Sequence, residues 1–268
     1  MSTQRTTPQS QSRTLGTGRP AQPASWLAMT MALTLNELRL AARRGESLLV
    51  TFVIPAGVLL VFSAFDMTGG TASGKPVDRM LPASIALAVI AASMVSLAIA
   101  TGFERSYGVI KRLGGSPAGA SAVVASKTIA VIVVEVIQTV LLVGLAMALG
   151  WAPGIGASPL VVGAGLVLGT VAFAGLGLLM AGMLRAEATL ALANLLFLLS
   201  LVLGGIVMPL DKLPGAVATV ASGLPPAELA SVLSIGLRGG GDATESLVVL
   251  AGWAVLLAGL AARKFRWD

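Results

Sequence analysis

Cysteine and histidine are both absent from the 268 residues, and Tyr107 is the single tyrosine. Their absence excludes disulfides, thiolate nucleophiles, imidazole bases and the usual zinc ligands. Acid–base work would fall to carboxylates, lysine, arginine and Tyr107, which leaves no reactive constellation and reads as a chain that is not an enzyme. Charge is scarce as well. Only 11% of the residues are Asp, Glu, Lys or Arg, where a soluble domain carries about 25%.

What fills the chain is hydrocarbon. Apolar residues make up 56% of it, and the mean hydropathy is +0.90. Six apolar runs follow one another at 48–65, 80–102, 128–150, 159–184, 188–208 and 246–262. Each is about long enough to cross a hydrocarbon core roughly 30 Å thick, so the fold class is all-α and polytopic. Pro55 lies inside the first run, which a spanning helix tolerates when its neighbours re-satisfy the freed carbonyl.

Two segments precede the spans. Residues 1–25 are rich in Ser, Thr, Gln and Pro and read as a disordered cytoplasmic tail. Residues 26–47 place Leu27, Met31, Leu35, Leu38 and Ala42 at spacings of four and three, with Asn36, Arg39, Arg43 and Arg44 on the other side. That pattern predicts an amphipathic helix lying in the headgroup plane.

The cations give the orientation. With six spans both termini share a side, and that side then holds 14 of the 18 Lys and Arg residues. The sequence therefore predicts a multi-pass protein of the bacterial plasma membrane with cytoplasmic termini. The net charge of +6 is accounted for by topology, and nucleic acid is not an expected partner.

Residues 209–245 are semi-apolar and punctuated by Pro209, Pro214, Pro225 and Pro226. They predict two half-helices, near 212–222 and 226–237, that re-enter the outer leaflet packed against protein. Three apparent motifs dissolve in context. The stretch from Gly69 to Lys75 has phosphate-loop spacing, but Pro76 follows where a Ser or Thr would hold magnesium. The GGGD at 239–242 lacks a second carboxylate inside a span. Arg43-Arg44 ahead of an apolar run is an export-signal pattern, but five further spans make this a membrane anchor.

Gly165 and Gly169 have the spacing of a helix-packing motif, for which ordinary packing within the chain is the expectation. Glu135 and Gln138 share one face of the third span. A charged carboxylate there costs several kcal/mol on most estimates, so it should face a partner or a wet cavity. Two readings stay open: an interhelical hydrogen bond, or the lining of a substrate or proton path. Asn194 in the fifth span poses the same question.

The most charged internal stretch, FERSYGVIKRLGGSP at 103–117, lies between the second and third spans. Its cations alone would be explained by a solvated loop that sets topology. Its order of residues says more. Glu104-Arg105, then Gly108, Leu113 and Ser116-Pro117 resemble the cytoplasmic hairpin of the ABC type-2 exporter permeases, the group that includes the daunorubicin-resistance permeases. Ser106 stands where a second acid is usual in that family. The MPLDKLP stretch and the downstream LPPAELASVLSIGLRGG are similar to the family's outer re-entrant segment, and the resemblance covers residues 26–268 as one permease domain.

The resemblance implies a permease subunit that hydrolyses no ATP. A separate ATP-binding-cassette ATPase carrying ATP and magnesium would seat the 103–117 hairpin as a coupling helix. Arg185 and Glu187 would add a lesser contact on the same side. The chain would pair with itself or a related permease among membrane lipids, bind no cofactor or metal of its own, and export a drug, antibiotic or lipid-like amphiphile. The rival expectation is an ion-coupled transporter with Glu135 as carrier.

Overall fold

A computed structural model describes residues 24–43, 45–65, 75–109, 119–206 and 209–264. Every regular element among them is helical. In chain order they are α1 (Trp26–Arg43), α2 (Gly45–Phe65), α3 (Pro76–Ser106), α4 (Gly119–Ala148), α5 (Pro159–Met183), α6 (Ala186–Leu203), α7 (Gly215–Ser222), α8 (Pro225–Arg238) and α9 (Thr244–Lys264). The all-α polytopic class expected from the apolar runs holds.

Five of these helices, α3, α4, α5, α6 and α9, are long and apolar enough to cross a membrane. The 21 residues of α2, at 1.5 Å each, extend about 31 Å. The half-helices α7 and α8 are bent by 72° at their junction, close to where the prolines placed them. Pro225 and Pro226 open α8, as suits residues with no N–H to contribute to a first turn.

Burial separates centre from rim. Of α3's most apolar stretch 72% is buried, against 22% for α6 and for α9. Leu81, Ile85 and Ile90 of α3 are fully enclosed, as is Phe173 of α5. On the rim Val136 and Val140 of α4, Leu198 of α6 and Val255 of α9 are exposed. These are surfaces that hydrocarbon would cover. The most extensive helix pairing is α9 along α5.

Gly165 and Gly169 pack within the chain. A Cβ at Gly165 would fall 2.7 Å from Val232 Cγ1, and one at Gly169 would fall 2.9 Å from Leu229 Cδ1, both on α8. The spacing that suggested a helix seam therefore seats α8 against α5.

One irregularity interrupts α3. Residues Ala91–Ser96 are π-helical, and α-helix resumes from Leu97 to Ser106. Such single π turns widen the hydrogen-bond ladder to i→i+5 locally and tend to mark functional sites. This one lies between the buried half of α3 and the half that leads into the charged hairpin.

Contacts sort the helix ends into two sets. The end of α3 meets the start of α4 and the end of α5. The start of α3 meets the end of α4 instead, where Lys75 Nζ donates to Gly150 O at 2.7 Å.

Candidate functional site

The last turn of α3 carries the first half of the hairpin, and its side chains turn inward. Glu104 Oε2 lies 2.8 Å from Lys127 Nζ of α4, and the same ammonium lies 2.8 Å from Glu37 Oε1 of α1. Lys127 is only 4% exposed, while the two carboxylates keep about a quarter of their surface. One lysine thus joins three helices. Its placement follows from the start of α4: an ammonium entering an apolar stretch must be neutralised by partners, and two acids converge on it.

Arg105, the next residue, reaches a different neighbour. Its Nη1 donates to Ala181 O near the end of α5, at 2.7 Å. Carbonyls of a helix's last turn have no partner within the helix, and a cation there also suits the negative end of the helix dipole. Together Glu104 and Arg105 tie the end of α3 to α1, α4 and α5.

Past this anchor the chain leaves the helix. Ser106 Oγ donates to Phe103 O at 2.8 Å, and the rings of Phe103 and Tyr107 stack with centroids 6.3 Å apart. Tyr107 is 71% exposed. Gly108 has φ +68° and its N–H donates to Arg105 O at 2.9 Å. That left-handed conformation is the usual way for a helix to stop, and glycine adopts it without a Cβ penalty. Leu113, Ser116 and Pro117, with Ile110, Lys111 and Arg112, lie outside the described residues.

The interfacial helix α1 packs on α4 by a face that its apolar periodicity did not reveal. Thr30 and Thr34 are buried, and the Thr34 hydroxyl donates to Thr30 O at 2.9 Å. Trp26 Nε1 donates to Ser121 Oγ of α4 at 3.1 Å. Leu27, Met31 and Leu35 face outward, as do Asn36, Arg39 and Arg43; Arg44 lies outside the described residues. The helix therefore has three faces: a small polar seam on α4, an open apolar stripe and a basic stripe.

A second polar group lies deeper, between α4 and α5. Glu135 is 1% exposed and Thr170 is fully buried. The Thr170 hydroxyl lies against Glu135 Oε2, and it also lies 2.6 Å from Leu166 O. Glu135 Oε1 and Gln138 Oε1 are buried without a hydrogen-bond partner among the described residues. The expected sites nearby are dispersed. Asn194 is exposed and its amide donates to Leu190 O of its own helix at 3.0 Å, whereas Pro55 is buried in α2.

The discarded motifs have structural roles. Asp242 Oδ1 accepts from Thr244 N at 2.9 Å and from Thr244 Oγ1 at 2.6 Å, capping α9. Those hydrogen bonds hold its carboxyl below the ordinary aspartate value. Lys75 is spent on Gly150, while residues 66–74 lie outside the described residues. Arg185 and Glu187 stand exposed at the start of α6. No group of three metal-ligating side chains occurs among the described residues.

Sequence reasoning named Glu104 and Arg105 but missed the hub, Lys127, and its other partner, Glu37. The available signal was a lone lysine at the edge of an apolar run with two acids assigned to the same side of the membrane.

No curated protein matches the chain. The family model for the ABC-2 type transporter matches residues 29–229, which runs from the first turn of α1 into α8 and includes the Lys127 hub. The multi-pass helical fold, the anchored hairpin stem and this match agree, and the chain belongs to the ABC-2 type transporter family of membrane permeases.

Proposed function

We propose that this permease is the membrane subunit of an ATP-driven exporter in the bacterial plasma membrane, with both termini cytoplasmic. A separate ATP-binding-cassette ATPase docks on the hairpin, and a second copy or a related permease completes the path. The cargo is amphiphilic: a drug, an antibiotic or a lipid-like molecule.

One observation carries this reading. The stem of the hairpin is bound to α1 and α4 through Lys127 and to α5 through Arg105. A push on the hairpin is therefore passed to three helices instead of being absorbed by a loose loop. Glu104 and Arg105 act as transmission, and the docking surface begins at exposed Tyr107 and continues through Leu113 to Ser116-Pro117.

The test is a mild-detergent pull-down from the native host, comparing wild type with Tyr107→Ala/Leu113→Ala. A phosphate-loop ATPase that accompanies wild type and is lost from the double variant supports the proposal. A folded wild-type permease that captures no such ATPase would sink it.

The ion-coupled reading rests on the unpartnered oxygens of Glu135 and Gln138. It requires transport to follow a proton gradient when the ATPase is inactive. Loss of transport in a hydrolysis-dead ATPase background excludes it.

A further inference from the structure

Two cations face one pocket at the end of the molecule away from the hairpin. Arg79, in the first turn of α3, and Arg238, at the end of α8, line a cavity of about 180 Å³ with Met80, Pro82, Ala230 and Ser234. Among the described residues the only ion pairs within 4.0 Å are those of Lys127, so neither guanidinium has a carboxylate partner there. The adjacent acid, Asp78, is engaged by the Lys75 amide, which donates to its Oδ2 at 3.0 Å.

The loop between α4 and α5 fixes both arms. Lys75 Nζ holds Gly150 O one turn before Arg79. Further along the loop, Gly154 N donates to Leu237 O at 3.2 Å and Ser158 N donates to Gly236 O at 2.8 Å. A Cβ at Gly154 would come within 1.7 Å of Arg238 O, so the loop grips the backbone at Arg238 more closely than any other residue would allow. Two like charges on anchored backbones repel, and an anion between them relieves that repulsion. Arginine pairs suit phosphate and carboxylate, which they engage through paired N–H donors. Met80, Pro82 and Ala230 then offer carbon beside the charge.

We propose that this pocket binds the phosphate or carboxylate headgroup of an anionic amphiphile. The headgroup lies on Arg79, Arg238 and the Ser234 hydroxyl, and the adjoining carbons lie along Met80 and Pro82. This is a statement about binding by the permease alone. It holds whether or not an ATPase drives transport.

The test uses the full chain in a neutral maltoside detergent, titrated with dodecyl phosphate, dodecyltrimethylammonium and inorganic phosphate. Dodecyl phosphate should bind, and Arg79→Gln and Arg238→Gln should each weaken it about tenfold, the effect of one lost charge-assisted contact. Arg263→Gln, at the other end of α9, should leave it unchanged. Equal binding in all variants, or equal binding of the alkylammonium, overturns the proposal. Inorganic phosphate binding as tightly as dodecyl phosphate would assign a free anion and overturn the amphiphile. Should the arginine variants unfold, competition by sulfate on the wild type decides: displacement of dodecyl phosphate supports the site, and none overturns it.

Discussion

Arg105 Nη1 donates to the carbonyl of Ala181 across 2.7 Å, so a guanidinium in the family's docking pattern is committed to the permease's own fifth helix. Together with Glu104 on Lys127, it makes the hairpin stem a rigid extension of the helix bundle. Docking specificity then belongs to residues beyond the stem, and mutations in the two regions should have separable effects.

Removing the ammonium of Lys127 should be the costliest change in the stem. Lys127→Met leaves Glu37 and Glu104 facing each other without a cation. The expected destabilisation is about 2–4 kcal/mol, below the full range for a buried pair because both carboxylates retain some water. Glu37→Gln should cost less, since Glu104 still neutralises the lysine. Thermal unfolding in detergent checks the order; a milder Lys127→Met would refute the hub.

Arg105→Ala and Tyr107→Ala should part company. The first removes a charge-assisted hydrogen bond worth roughly 1.5–3 kcal/mol and should lower thermal stability. The second trims an exposed ring and should cost less than about 1 kcal/mol, yet it should weaken ATPase capture. Parallel melting and pull-down measurements separate them.

Two glycines of α5 should differ sharply as alanine. At Gly169 the new methyl would meet Leu229 Cδ1, the tip of a flexible side chain, at 2.9 Å. At Gly175 it would meet the backbone nitrogen of Ala258 at 2.7 Å, which moves only if α9 moves. Gly169→Ala should cost about 1 kcal/mol and Gly175→Ala about 3 kcal/mol or more, in line with overpacking penalties. Similar melting temperatures for the two would contradict this packing.

Asp242 supplies a pH dependence with a defined sign. Its carboxyl in the folded chain lies below the ordinary value of 3.8. Its contribution to capping α9 is therefore complete above that value and lost as pH falls through the lowered one. Hydrogen exchange in the first turn of α9 should be independent of pH-linked capping near neutrality and accelerate in acid. Asp242→Asn should flatten that acid response.

Much of the architecture was legible because it depends on composition and short-range rules. Apolar runs must become helices where no water can satisfy the backbone, and Pro225-Pro226 could only open a new helix. The third face of α1 was hidden. Leu27, Met31 and Leu35 mark an apolar stripe, but Thr30 and Thr34 do the packing, and threonines at that spacing give no hydrophobic signal. Residues 90 positions apart, Glu37 and Lys127, meet only after four helices are arranged. Periodicity carries nothing about such a meeting.

The π-helical segment of α3 also sets a limit on how this chain can vary in length. Each residue of an α-helix advances the azimuth by about 100°. Deleting one residue between Ala91 and Ser96 would relax the wide turn to regular α-helix and rotate everything downstream by about that angle. Glu104 would swing off Lys127, and Arg105 would swing off Ala181, with no side chain altered. The chain is thus tolerant of substitution on α3's rim and intolerant of a single-codon gap at its middle: the wide turn is the phase adjustment that brings the two halves of one helix into correct angular alignment.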